Sequence, residues 1–241
     1  MSDPVGELGY SHNMTNIPTV SWLAYCRAGF EPDLAAEFKM RFGNTPVALV
    51  ANPLSGYVLA SFLAKDAKRG AALADWRDWI FARQLLRANA LPVPLATNDR
   101  VTPIVAAAKA WLLQQKVERV GSVWIEYPDT NDGKALSKLS QALQLRISAE
   151  FIAGGLLHKD EALPRLHVLL TPDRQAYLAL ADTRTASSWP LGIARLKMPR
   201  EAPSRSTLKL AEALHVFVGD NEERILRSEM KAVDLGAAPG G

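Results

Sequence analysis

Two stretches of this 241-residue chain hold residue types that could do chemistry. The first is Ala232-Val233-Asp234-Leu235-Gly236-Ala237-Ala238-Pro239-Gly240-Gly241. Apolar residues, an acid and then closely spaced glycines are what a strand running into a nucleotide-binding turn needs. Glycine lets the backbone approach a ligand, and an acid at a strand end accepts hydrogen bonds from the ligand's polar groups. The same letters also suit a strand followed by a linker tail, and no helix follows within the chain to complete the strand–turn–helix context. The second stretch runs from Gly192 to Phe217. From Arg184, shortly before it, to Lys209 the chain has six cations (Arg184, Arg195, Lys197, Arg200, Arg205, Lys209) against one acid, Glu201. Helical spacing puts Arg205, Lys209 and Glu212 on one face and Ser206, Leu210, Ala213 and Phe217 on another. Such a run can steer phosphate backbones, and it can equally be the solvated face of a linker and helix.

The remaining candidates are quieter. Cys26 sits in the apolar run Ser21–Cys26 and reads as a buried thiol, with no cationic setting to activate it. His167 lies in an apolar strand and reads as a core residue. His215 follows a helix register and reads as packing, His158 as a loop residue, and His12 as part of an unstructured end. No acid or cysteine cluster surrounds them, so no metal site is expected. Trp76 and Trp79, three apart, suggest one helix face seeking cover, with base stacking the other use for such rings. Trp189, beside the cationic run, is the better stacking candidate.

These residues must be positioned by a chain of mild net charge, +3. That charge suits a nucleic-acid binder without requiring one. One cysteine excludes a disulfide framework and fits a cytosolic setting. No run approaches the ~20 apolar residues that cross a bilayer, so no membrane partner is expected. The polar, acid-bearing N-terminus does not read as a signal peptide. Residues 1–17 are expected to be a disordered extension, with Met14 an alternative start.

From Val20 the elements alternate. A strand over Val20–Cys26 is followed by a helix opened by Glu31-Pro32-Asp33 and striped with Leu34, Ala35, Phe38 and Phe42. Strands over Val47–Ala51 and Tyr57–Leu63 flank the turn Asn52–Gly56. A short helix over Asp66–Ala74 and a strand over Arg83–Ala90 complete a βαββαβ order, which predicts a ferredoxin-like sandwich over residues 18–92. Leu91-Pro92-Val93-Pro94 marks a boundary. A second α/β unit follows over 93–185. It has a helix over Pro103–Gln114 and a strand over Val120–Tyr127, with Val123 and Ile125 facing one way and Trp124 and Glu126 the other. A helix over Lys134–Leu145 with Leu136, Leu139 and Leu143 inward comes next. A hairpin of Leu166–Leu170 and Tyr177–Ala181 then turns at Pro172-Asp173. Residues 186–203 read as linker. From 204 onward Ser204 caps a helix to Val218, and Lys231–Leu235 reads as a buried strand.

Together the two chemical stretches resemble a known family. Ser204-Arg205-Ser206-Thr207-Leu208-Lys209-Leu210, followed about two dozen residues later by Val233–Gly241, is similar to the entry of the FtsJ-like 2′-O-ribose methyltransferase domain. Four islands narrow the resemblance to the ribosomal RNA large subunit methyltransferase M family: Ile80–Gln84, Asp99–Ile104, Asp129-Thr130-Asn131 and Gly192–Lys197. The likeness spans about Trp22 to Gly241.

The resemblance implies an α/β (α+β) chain: a ferredoxin-like domain, a THUMP domain of the kind associated with RNA binding, and the first strand of a truncated Rossmann-like methyltransferase domain (204–241). It implies S-adenosyl-L-methionine as methyl donor. Ala238, Pro239, Gly240 and Gly241 would line the donor pocket, Ser206 would reach it from the preceding helix, and Asp234 and Gly236 would hold the strand-end positions. Lys209 matches the first lysine of the family's Lys-Asp-Lys-Glu set. The implied partner is 23S rRNA or a pre-50S particle in the cytoplasm, modified at a cytidine. Arg195, Lys197, Arg200 and Arg205 would meet that RNA.

A ribose hydroxyl attacks a methyl group only when aligned and relieved of its proton. A lysine of pKa ~10.4 is a poor base until a second cation or burial depresses it. The family's proton-accepting lysine lies downstream of the glycine turn, so these 241 residues alone are expected to be inactive. The alternatives are an RNA-binding adaptor without catalysis, or a nucleotide-binding protein of another class that shares only the glycine turn.

Overall fold

The protein is described from a computed structural model, over residues 19–198, 200, 206–219, 222–227, 229–231 and 233. The expected N-terminal extension and the glycine turn lie outside the described residues.

The first unit has the predicted order: β1 (Thr19–Tyr25), α1 (Glu31–Phe42), β2 (Val47–Val50), β3 (Tyr57–Leu63), α2 (Ala67–Ala72) and β4 (Gln84–Ala88). The strands pair antiparallel in the order β2-β3-β1-β4, the ferredoxin-like arrangement. Alternation along β1 splits its side chains between two cores. Trp22 and Ala24 pack with Leu34, Phe38 and Phe42 of α1, while Leu23 and Tyr25 face the opposite side of the sheet.

Helix α1 does more than cover the sheet. Glu31, an expected helix-start acid, is fully buried, and its carboxylate accepts the N–H groups of Gly29 (3.0 Å), Leu54 (3.3 Å) and Gly56 (2.7 Å). It therefore fixes the β2–β3 turn as well as the helix start. Two turns on, buried Glu37 accepts Ile80 N–H (2.9 Å), Phe81 N–H (3.0 Å) and Arg41 Nε–H (2.9 Å).

The second unit contains β5 (Val93–Pro94), α3 (Val101–Gln114), β6 (Ser122–Glu126), α4 (Asn131–Lys134), α5 (Ser137–Ala153), β7 (Arg165–Thr171) and β8 (Gln175–Ala181). β6 and β7 run parallel, and β7–β8 is the predicted hairpin. β4 pairs with β8 through Arg87↔Leu180 and Ala88↔Ala179, so both units share one mixed sheet of order β2-β3-β1-β4-β8-β7-β6, with β5 on β8. Residues opposed across a pair point the same way. Leu85 and Arg87 are thus on the side of Leu180, and that side carries both helix layers, α1 with α2 and α3 with α5. The other side holds a third core of Leu23, Tyr25, Leu86, Leu169, Tyr177 and Ala179.

Several expectations are corrected. The helix expected over 134–145 is two helices, α4 and the longer α5. At Gly133 a Cβ would lie 2.0 Å from the Pro128 carbonyl oxygen, and Thr130 Oγ1 accepts the Gly133 N–H (2.9 Å), so the chain folds back tightly before α5 starts. The helix expected over 66–74 shortens to α2 after a 3₁₀ turn. Trp76 and Trp79 do not share a helix face. Trp76 begins a 3₁₀ turn and Trp79 is extended, 6% exposed, its ring 4.5 Å from Phe38 and its Nε1–H donating to the Leu73 carbonyl (2.9 Å). A ring so enclosed has no face for a base. Of the strand expected over 231–235, the described Lys231 and Val233 are in no strand, and Val233 is 82% exposed. A parallel strand is buried only by neighbouring strands and crossover helices, and none of the described strands pairs with these two residues.

Glu37→Ala should leave three donors without their acceptor, two of them backbone N–H groups, and cost about 3 kcal/mol, read as a lower denaturant midpoint with an unchanged slope.

Candidate functional site

The face of the sheet opposite α1, α2, α3 and α5 is crossed by the segment that leaves β8 and leads toward the cationic run. Ala186, Leu191 and Ile193 pack on the apolar part of that face. The rest of the attachment is polar and buried. Outward alternation on β6 and β7 places Trp124, Glu126, Arg165 and His167 there, opposite Val123, Ile125, Leu166 and Val168 in the helix-side core. The Glu126 carboxylate, 5% exposed, accepts three bonds: from the Tyr25 hydroxyl on β1 (2.9 Å), from His167 Nδ1 on β7 (2.6 Å) and from the Leu191 N–H of the crossing segment (2.6 Å). Arg165 Nε–H donates to His167 Nε2 (2.8 Å), and a second Arg165 nitrogen donates to the Ser187 carbonyl (2.6 Å). Gln84, at the start of β4, clasps Ser187 in both directions (3.1 and 2.8 Å).

The proton inventory follows from this geometry. Arginine can only donate, so His167 Nε2 must be the unprotonated nitrogen and Nδ1 carries the hydrogen given to Glu126. The imidazole is neutral and bridges a guanidinium to a carboxylate. Arg165 also stacks on Trp124, its guanidinium carbon 3.6 Å from the ring centroid. Burial pushes the Glu126 carboxyl up, but the hydrogen bonds it accepts from His167 Nδ1, the Leu191 N–H and the Tyr25 hydroxyl act against this and hold the group below the usual carboxylate range. Burial lowers the Arg165 guanidinium and raises the Tyr25 phenol well above its ordinary value.

The segment is creased where it is held. Leu191 has φ 57° and Gly192 φ 67°. A Cβ at Gly192 would lie 2.0 Å from the Arg83 carbonyl oxygen, so only glycine fits. A left-handed leucine costs ~1–3 kcal/mol, which the buried bond to Glu126 offsets.

Beyond the crease, the expected RNA-facing cations emerge. Arg195 is exposed and lies 3.7 Å from Asp129 Oδ1, while Arg83 lies 3.5 Å from Asp129 Oδ2, so one carboxylate joins linker, second unit and ferredoxin-like unit. Lys197 and Arg200 are exposed, and Arg205 lies outside the described residues. Helix α6 (Ser206–Phe217) carries Ser206 and Lys209, both exposed, one turn apart, and none of its residues is buried. Of the face that carries Ser206, Leu210, Ala213 and Phe217, Leu210 is 56% and Phe217 85% exposed, and only Ala213 is half-buried, along with Thr207, Leu208, Ala211, Leu214, Val216 and Val218. Exposed His215 meets Trp189 edge-on at 6.3 Å. Asp234, Gly236, Ala238, Pro239, Gly240 and Gly241 lie outside the described residues.

His167 is the core histidine expected, yet it is a polar hub. Cys26 is buried, its thiol pushed up to about 12, mainly by desolvation. Among the described residues no group of three or more His, Cys, Asp or Glu could hold a metal ion, and no helix is long and apolar enough to cross a membrane. Sequence reasoning missed Glu126, Arg165, Gln84 and Tyr25. The available signal was an acid on the outward face of one strand and an Arg-x-His pair two apart on another.

Because the folded-state pKa of Glu126 is depressed, the unfolded chain takes up its proton first as pH falls. The network's stabilisation is therefore whole at neutral pH, shrinks as pH drops through the carboxylate range, and is gone below the folded pKa. Glu126→Gln should cost roughly 3–5 kcal/mol at pH 7 and flatten the acid limb of a midpoint-against-pH curve. Gly192→Ala should speed amide exchange over 186–193 while β1–β4 stay protected.

Two family models match the chain: an RlmM ferredoxin-like domain over residues 20–86, and the N-terminal part of ribosomal RNA large subunit methyltransferase M over residues 99–182. Ribosomal RNA large subunit methyltransferase M of Xanthomonas campestris pv. campestris (strain B100) is 43% identical over 224 residues, 91% of this chain and 62% of that protein. The protein of that name from Xanthomonas oryzae pv. oryzae (strain PXO99A) is 42% identical with the same coverage. The crystal structure of TrmN from Thermus thermophilus overlays with TM-score 0.44 at 17% identity, over 71% of this chain and 47% of that one, too weakly to add to the assignment. The chain thus spans 62% of the length of the curated relatives it matches. It matches the N-terminal portion of the ribosomal RNA large subunit methyltransferase M family.

Proposed function

We propose that this chain is the RNA-targeting front part of an S-adenosyl-L-methionine-dependent enzyme that methylates a ribose 2′-hydroxyl of a cytidine in cytoplasmic 23S rRNA, free or in a pre-50S particle. In this reading residues 18–92 are the ferredoxin-like domain, 93–185 a THUMP-like RNA-binding domain, 186–203 the linker and 204–241 the start of the methyltransferase domain. The observation that carries it is the buried attachment of the linker to both units through Glu126, Arg165 and Gln84. A rigid front part that grips RNA gives its methyltransferase domain a defined point of departure only if the linker is fixed at its root.

The donor supplies an electrophilic methyl group on a sulfonium. Ser206 and Lys209 are exposed one turn apart on α6; in this reading Ser206 would reach the donor pocket and Lys209 would be the first lysine of the Lys-Asp-Lys-Glu set. Asp234, Gly236 and Ala238–Gly241 would complete that site. Lys209 is a cation beside which a second lysine would lose its proton more readily, and so would orient or tune the residue that takes the ribose proton. Arg195, Lys197, Arg200 and Arg205 would follow the phosphate backbone. The adaptor reading is favoured by one feature, the lack of any buried residue in α6.

Methyl transfer from labelled donor to 23S rRNA lacking the modification separates these readings. The chain as given should bind RNA with an affinity that falls linearly on a log–log salt plot and should show no turnover. A version extended to the length of its relatives should methylate ribose, and Lys209→Ala in it should cut turnover at least ~100-fold. No turnover by the extended protein would leave the adaptor, and salt-independent affinity would remove both.

A further inference from the structure

At the end of the sheet where β1 stops and β4 begins, exposed apolar and cationic side chains interleave. Phe30 stacks on Phe81, ring centroids 5.9 Å apart and planes 26° from parallel. The Arg27 guanidinium lies 5.8 Å from the Phe30 centroid. Leu54, at the tip of the β2–β3 turn, reaches to 4.0 Å from where a Cβ on Gly29 would stand. Phe30 is 38% exposed, Leu54 68% and Ile80 76%. Two residues beyond Phe81, Arg83 joins Arg195 through Asp129. Of the three α1 acids, Glu31 and Glu37 are buried under N–H donors and do not face an incoming anion, while Asp33 is exposed.

Core packing does not explain this arrangement. Leu54 has φ 59°, a strained conformation for a leucine, held in part by its N–H bond to buried Glu31, and its side chain is left in water. Flat rings, exposed aliphatic groups and guanidinium groups in alternation are what unpaired bases and their phosphates require: stacking for the base, cations for the backbone. A protein ligand would use Leu54 and Ile80 but has no general need for an arginine beside a ring pair.

We infer that this end of the sheet is a contact surface for single-stranded RNA, separate from the cationic run after Arg195. A base stacks on the Phe30–Phe81 pair beside Arg27, Leu54 and Ile80 wall the base, and Arg83 and Arg195 meet the neighbouring phosphates. This rests on the RNA-targeting reading and gives it a substrate feature: an unpaired segment in place of a helix recognised by shape.

Fluorescence anisotropy of the full chain tests it with three probes: an unstructured oligoribonucleotide, the same sequence in a duplex, and an abasic strand of equal length. The wild type should prefer the first. Phe30→Leu keeps the apolar cover but removes the ring. It should lower single-strand affinity about tenfold and leave duplex and abasic binding unchanged. Leu54→Ser, at an exposed turn tip, should act in the same direction, with melting curves showing both variants folded. If both variants bind the single strand as the wild type does while Arg195→Glu weakens every probe, the stacking surface is overturned and the RNA reading stands. Equal wild-type binding to single strand and duplex also overturns it. If the wild type binds none of the three at low salt, the RNA reading itself falls, and retention of a protein partner lost on Leu54→Ser would then define the patch as a protein contact.

Discussion

A carboxylate taken out of water must be matched by donors or it destabilises the fold, and at Glu126 the donors come from three different parts of the chain. Tyr25 arrives from the first unit, His167 from the second, and the Leu191 N–H from the segment that leaves both. None of these can move off without stranding a buried charge. The neutral imidazole lets Arg165 share the burden at a distance, so an anion and a cation are buried without direct contact. The arrangement stiffens a place where the backbone is irregular, at a left-handed leucine followed by a glycine with no room for a side chain.

That anchoring works because the two units are not separate bodies. The pairing of Arg87 with Leu180 and Ala88 with Ala179 splices two sheets into one, with α1, α2, α3 and α5 on the same side. The opposite face is then a continuous floor from Leu23 through Leu86 and Ala179 to Leu169, on which a single extended segment can touch both halves.

Much of this was legible in the residues. The βαββαβ order of the first unit, the hairpin around Pro172 and Asp173, and the alternation that sends Val123 and Ile125 one way and Trp124 and Glu126 the other all follow from local pattern. The splice was not legible, because Arg87 and Leu180 are far apart in the chain and nothing local announces which edges will meet. Glu31 and Glu37 look like ordinary helix acids, since their true partners are N–H groups of loops whose placement only the fold decides. On α6 the spacing groups Leu210 and Phe217 on one face, but how much of that face is covered depends on neighbours that a helical wheel does not contain. The family resemblance drew on Ser206, Lys209 and the terminal glycines, whereas the buried hub that organises the front part involves none of them.

The crease at Leu191–Gly192 also sets a length scale. Ten residues separate Arg195, still tied to Asp129, from Ser206 at the start of α6. A chain that long spans at most about 35 Å. Whatever α6 introduces therefore starts within that radius of Arg195, and under the RNA-targeting reading a ligand held by the sheet would be met there at a local concentration on the order of millimolar. In that reading the number of residues between the crease and α6, and not the affinity of the second site, would set how often the two sites meet the same molecule.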